Sequence, residues 1–147
     1  MKTLPDEFRD TSVCVLGLGY VGLTLSVALS KVGFRVHGVE VVESVLEKLK
    51  DGEPHFWEKG LAKDLKRTLQ TKNFSVSNDL SDMSAASVYI ITVGTPLGPN
   101  GEARLDMIAK ATEQISGHIQ DGALVVLRST VRIGTARAVV KPILDKT

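Results

Sequence analysis

The residues Gly17-Leu18-Gly19-Tyr20-Val21-Gly22 set three glycines in the spacing G-x-G-x-x-G. The pattern follows the apolar run Val13-Cys14-Val15-Leu16 and precedes a segment carrying Leu23, Leu25, Val27 and Leu29. It therefore sits between a strand and a helix, the context in which these glycines bind a dinucleotide pyrophosphate. Gly17 permits the tight turn, Gly19 lets backbone approach the phosphates without a Cβ in the way, and Gly22 lets helix and strand pack closely. The helix N-terminus adds free N–H groups and a partial positive charge.

Glu40 follows Gly22 by 18 positions and ends the second apolar run, where an acidic side chain accepts hydrogen bonds from the adenosine ribose. Each such charge-assisted bond contributes ~1.5–3 kcal/mol. The same carboxylate repels a 2′-phosphate, and Val41 and Val42 offer no arginine to neutralise one, so the expected cofactor is NAD rather than NADP. The alternative is a solvent-facing glutamate at a strand end. Thr95, Ser129 and Thr130 follow the fourth and fifth apolar runs, where ligands of open α/β sheets gather, and their hydroxyls both donate and accept. Ser129 and Thr130 also suit a helix cap or turn. Gly94, Gly98 and Gly101 suggest a loop able to approach a cofactor, with Pro96 fixing its turn.

Positioning these groups requires a parallel sheet. Short β-branched runs at 13–16, 35–40, 74–76, 88–93 and 123–127 alternate with helical patterns, which predicts a doubly wound, Rossmann-like α/β domain spanning 1–147. The first, fourth and fifth runs are continuously apolar, as in strands covered on both faces. Leu105, Ile108, Thr112, Ile115 and Ile119 form one core stripe, leaving Asp106, Lys110, Glu113 and Gln114 for solvent. Leu61, Leu65 and Leu69 form another, with Lys63, Asp64, Lys66 and Arg67 as a solvated face. Gly52-Glu53-Pro54 stops a helix that begins near Ser44. A last helical pattern occupies 135–145, with Pro142 as its stop signal.

Lysine and arginine number 18 and aspartate and glutamate 17, so no broad field is available to hold nucleic acid or an anionic membrane. The charged opening residues, 1–10, and the shortness of the apolar stretch 21–29 point to a cytoplasmic protein without a membrane span. Cys14, the single cysteine, reads as a packed thiol. His37, His55 and His118 are scattered, and no metal site is expected.

Three further segments carry a resemblance: residues 52–61 (Gly-Glu-Pro-His-Phe-Trp-Glu-Lys-Gly-Leu), Val93-Gly94-Thr95-Pro96, and residues 128–134 (Arg-Ser-Thr-Val-Arg-Ile-Gly). With the glycine turn they resemble, in order and spacing, the N-terminal domain of the UDP-glucose/GDP-mannose dehydrogenase family. The resemblance implies oxidation of a nucleotide sugar's C6 hydroxymethyl group to a carboxylate, with two NAD molecules and enzyme-bound intermediates on a cysteine. That cysteine belongs to a later domain, and Cys14 does not occupy its motif. By position, the resemblance makes Val21 and Glu40 cofactor contacts and sets Thr95 and Thr130 beside the nicotinamide end and the reacting centre. With the motif and loop readings above, the expected cofactor-binding set is Gly17, Gly19, Tyr20, Val21, Gly22, Glu40, Gly94, Thr95, Pro96, Ser129 and Thr130. Thr130 also resembles the threonine that supports catalysis by holding a water or oxyanion. Glu40 stands where the family usually has aspartate, and Val45 where it often has arginine or lysine. His55 and Trp57 either line a surface toward a later domain or simply pack.

The resemblance further implies a homo-oligomeric parent enzyme, with the sugar chosen by residues outside this chain and the chain alone inactive. Two other readings stay open: a stand-alone dinucleotide-binding sensor, and a Rossmann dehydrogenase of the 6-phosphogluconate type.

Overall fold

The computed structural model describes residues 4–8, 10–81 and 85–146. Part of the charged opening segment therefore lies outside the described residues. Five parallel strands, β1 (Ser12–Leu16), β2 (Arg35–Val39), β3 (Phe74–Ser77), β4 (Val88–Ile91) and β5 (Leu124–Leu127), form one sheet in the order β3-β2-β1-β4-β5. The helices are α1 (Tyr20–Val32), α2 (Glu43–Lys50), α3 (Leu61–Gln70), α4 (Asp106–Ser116) and α5 (Lys141–Leu144). From β1 the chain builds outward to β3, then returns to β4 on the other side of β1. That reversal opens a crevice at the carboxyl ends of β1 and β4, the switch point where such sheets take ligands.

Side chains alternate across a strand, so β1 feeds two cores. Cys14 and Leu16 join Tyr89 and Ile91 beneath Ile108, Ala111 and Ile115 of α4. Val13 and Val15 join Val36 and Phe74 beneath Leu23 and Val27 of α1 and Leu61 and Leu65 of α3. Each large apolar side chain so withdrawn from water stabilises the fold by ~1.5–3 kcal/mol. Tyr89 is fully buried with its hydroxyl paired, accepting from the Ala86 N–H at 3.1 Å and donating to the His118 carbonyl at 3.2 Å.

The doubly wound parallel sheet is the one expected, with three departures. Strands β2 and β4 end at Val39 and Ile91, which frees Glu40, Thr92 and Val93 for the loops above the sheet. Strand β5 is not covered on both faces. It is an edge strand with Leu124 at 57% exposure and its other residues half-buried. Within the described residues its second face is therefore left open. Pro142 does not end the last helix. A widened π turn at Ala136–Val140 leads directly into α5, with Pro142 in its first turn, where a missing N–H is tolerated.

Candidate functional site

The glycine turn is built as its residue types require. Gly17 has φ +92°, and a Cβ there would lie 3.0 Å from Val93 backbone. Its N–H donates to the Val39 carbonyl at 2.9 Å, joining the ends of β1 and β2. At Gly22 an added Cβ would fall 1.9 Å from the Gly17 carbonyl oxygen and 2.7 Å from Thr92 Oγ1. Helix α1 can reach this depth only with glycine there. Thr92 Oγ1 in turn donates to the Gly17 carbonyl at 2.7 Å, fixing the turn to β4.

Gly19 is different, because a Cβ there would meet no atom within 4 Å. It precedes α1, and no side chain caps that helix. The first N–H groups of α1 therefore have no intrahelical acceptor and face open space, the arrangement that receives an anion. Tyr20 and Val21 stand exposed beside it.

Glu40 is 8% exposed, which excludes the solvent-facing alternative. Its Oε2 accepts from the Leu18 N–H at 3.1 Å and its Oε1 from the Val42 N–H at 2.9 Å. The carboxylate thus holds the glycine turn and the β2–α2 connection together. Each oxygen keeps a further lone pair for a ligand hydroxyl. Val45 is half-buried against the core around Leu49 and Leu61 and is not among the residues lining the crevice at the carboxyl ends of the strands.

These residues line one cavity of about 570 Å³ at the carboxyl ends of the strands. Gly17, Gly19, Tyr20, Val21, Glu40 and Gly94 contribute to it, together with Val41 and Thr92. Its remaining wall is α4, through Met107, Lys110, Ala111 and Gln114. Lys110 and Gln114 therefore border the cavity instead of facing plain solvent. Their spacing from Met107, three and seven positions, is a helical stripe beside the core stripe of Ile108 and Ile115. The sequence carried that signal, but the loop ends above β4 had to be placed before it meant anything.

Gly22 lies beneath the turn, and Thr95, Pro96, Ser129 and Thr130 stand outside the cavity lining, on the loops after β4 and β5. Thr95 Oγ1 donates to the Thr130 carbonyl at 2.9 Å, and Ser129 Oγ donates to the Val93 carbonyl at 2.7 Å. Two of the three predicted hydroxyls are thus engaged in joining the loops. Thr130 is exposed, and its hydroxyl makes no hydrogen bond among the described residues, so this one stays free to meet a ligand.

The segment 52–60 reaches the site from the side. The Phe56 ring centroid lies 5.0 Å from that of Tyr20, and His55 packs edge-on against Phe56 at 4.9 Å. Trp57 is 85% exposed, so it does not pack as a core residue. The other histidines have separate surroundings: His37 sits between the hydroxyls of Ser75 and Ser77, and His118 Nδ1 lies 3.1 Å from the Gln114 carbonyl oxygen. Cys14 is fully buried, and burial pushes its thiol up to about 12. No helix among the described residues is long and apolar enough to cross a membrane.

Residues 11–147 match the model of the UDP-glucose/GDP-mannose dehydrogenase family, NAD binding domain. The chain is 34% identical over 128 residues to a UDP-glucose 6-dehydrogenase of Pseudomonas aeruginosa, covering 86% of this chain and 28% of that protein. It is 33% identical over 137 residues to a GDP-mannose 6-dehydrogenase of Pseudomonas syringae, covering 90% and 31%. Among solved structures, a UDP-glucose dehydrogenase from Pyrobaculum islandicum superposes with a TM-score of 0.88 at 34% identity, over 97% of this chain and 34% of that one. The chain thus spans about a third or less of the length of these relatives. Near-equal identity to enzymes named for two different sugars places the likeness in a shared domain, independent of the sugar.

Proposed function

Because this chain belongs to the UDP-glucose/GDP-mannose dehydrogenase family, as its NAD-binding domain, we propose that it holds NAD for oxidation of a nucleotide sugar by a longer enzyme. Two successive oxidations take the C6 hydroxymethyl group to a carboxylate through enzyme-bound intermediates on a cysteine outside this chain; each removes one hydride and one proton, and water releases the carboxylate from the cysteine. NAD, when bound, would supply the hydride acceptor, two equivalents per sugar. The family match sets aside the 6-phosphogluconate-type alternative.

The observation that carries this reading is the cavity at the switch point, with open space at Gly19, an uncapped α1 and the pre-set carboxylate of Glu40. In the proposed complex, Gly17, Gly19 and Gly22 shape the turn, and the α1 backbone N–H groups at Tyr20 and Val21 receive the pyrophosphate. Glu40 accepts from the adenosine ribose and, as a carboxylate, rejects a 2′-phosphate. Gly94, Thr95, Pro96, Ser129 and Thr130 lie toward the nicotinamide end. Thr130, with its free hydroxyl, is the residue proposed to support the chemistry.

Calorimetric titration of this chain with NAD and NADP, beside a Glu40→Ala variant, tests the proposal. Saturable NAD binding that Glu40→Ala weakens, with little NADP binding, is the expected result. Failure of the chain to bind NAD would overturn it. The whole enzyme is expected to be a cytoplasmic homo-oligomer, which light scattering and cell fractionation of the full-length protein would check.

A further inference from the structure

We infer that Lys110 is the side-chain cation of the cofactor cavity, placed on α4 to bind the diphosphate of the dinucleotide. The inference rests on the NAD reading above and assigns the charge that this reading leaves unmatched.

A dinucleotide brings two negative phosphates into a cavity that already holds the carboxylate of Glu40. Among the described residues lining that cavity, Lys110 is the one lysine or arginine and Glu40 the one carboxylate. Without Lys110, the cavity lining would offer the phosphates only neutral donors, such as backbone N–H groups and the Gln114 amide, and the partial charge of α1, against a full negative charge at Glu40.

The ammonium group is available. Asp106, one turn earlier on α4, is held on both oxygens by the Arg104 guanidinium, at 3.1 and 3.0 Å. Lys110 makes no ion pair among the described residues, and Glu40 is engaged by two backbone N–H groups. The helix also aims the residue. Met107, Lys110, Ala111 and Gln114 form one continuous stripe against the cavity, while Ile108, Thr112 and Ile115 anchor α4 in the core. A lysine on that stripe, flanked by an apolar Met107 and Ala111, keeps its stem on the wall and its charge in the opening.

The test uses this chain with NAD, ADP and adenosine as probes, measured by calorimetry at two salt concentrations, for the unsubstituted protein, Lys110→Met and Lys110→Arg. Lys110→Met should weaken NAD and ADP by about tenfold, the scale of one charge-assisted contact, and leave adenosine unchanged. It should also flatten the salt dependence of NAD binding, while Lys110→Arg retains affinity. Lys110 is exposed, so neither variant threatens folding, and thermal melts would verify this. Unchanged NAD binding by Lys110→Met would overturn the inference alone, as would an equal loss for adenosine, which would mean contact with the base. Absence of NAD binding by the unsubstituted chain would instead overturn the cofactor reading, and the inference with it.

Discussion

Tyr20 and Glu58, 38 positions apart, are joined by a 2.6 Å hydrogen bond in which the phenol donates to carboxylate Oε2. With the Phe56 ring against that of Tyr20, this bond pins the segment between α2 and α3 onto the first turn of α1. The glycine turn is therefore supported from outside the sheet as well as from beneath it.

That contact predicts an alkaline shift. The hydrogen bond to Glu58, followed by its negative charge, raises Tyr20 above its ordinary value of 10.0. Because the folded state holds the proton more tightly, the contact's stabilisation is present below pH 10 and is lost as pH rises through the folded value. An ultraviolet difference titration should show one tyrosine ionising earlier in Glu58→Gln than in the unsubstituted chain. Identical titration curves would contradict the contact.

Gly22 and Gly19 should respond oppositely to alanine. Gly22→Ala drives a Cβ to 1.9 Å from the Gly17 carbonyl and should cost about 3 kcal/mol or more, lowering the melting temperature by roughly 10 °C. Gly19→Ala meets open space and should keep the melting temperature within a few degrees, while its methyl group displaces phosphate and weakens NAD binding. Calorimetry on the two variants, with thermal melts alongside, separates the packing glycine from the ligand-facing one.

Glu40 should matter without any cofactor. In Glu40→Gln one backbone N–H, of Leu18 or Val42, confronts an amide donor in place of a carboxylate oxygen. The loss should be about 1–3 kcal/mol by urea denaturation of the ligand-free chain. A variant as stable as the parent would reduce Glu40 to ligand binding alone.

Much of this was readable in the sequence because it is local. Five apolar runs gave five strands, and the glycine spacing gave the turn, since each signal lies within a few residues of its effect. Glu40 was placed at the right strand end, but its two backbone partners were hidden because its carboxylate folds back over the turn, 22 positions away from Leu18. Lys110 and Gln114 read as solvent residues because helical periodicity identifies the core stripe and is silent about what lies above a sheet's end. Leu124 to Leu127 read as a fully covered strand because composition cannot distinguish an edge from an interior position. The Tyr20–Glu58 contact joins two motifs that were each recognised, yet nothing in either spacing pairs them.

The loops after β4 and β5 yield the last prediction, since three neighbouring hydroxyls have different fates. Ser129 Oγ donates to the Val93 carbonyl and Thr95 Oγ1 to the Thr130 carbonyl, so each closes one loop against the other. Ser129→Ala and Thr95→Val should each remove about 1 kcal/mol of stability, the net worth of such a bond. Thr130 is exposed with an unengaged hydroxyl, so Thr130→Val should change stability by no more than about 0.5 kcal/mol. If Thr130 faces the nicotinamide end, Thr130→Val should weaken NAD while leaving ADP, which lacks that end, unaffected. Urea melts of all three variants and paired NAD and ADP titrations of Thr130→Val would decide the matter. A Thr130→Val protein that binds both ligands as before would leave the hydroxyl outside the cofactor site, and any part it plays would have to begin with the sugar.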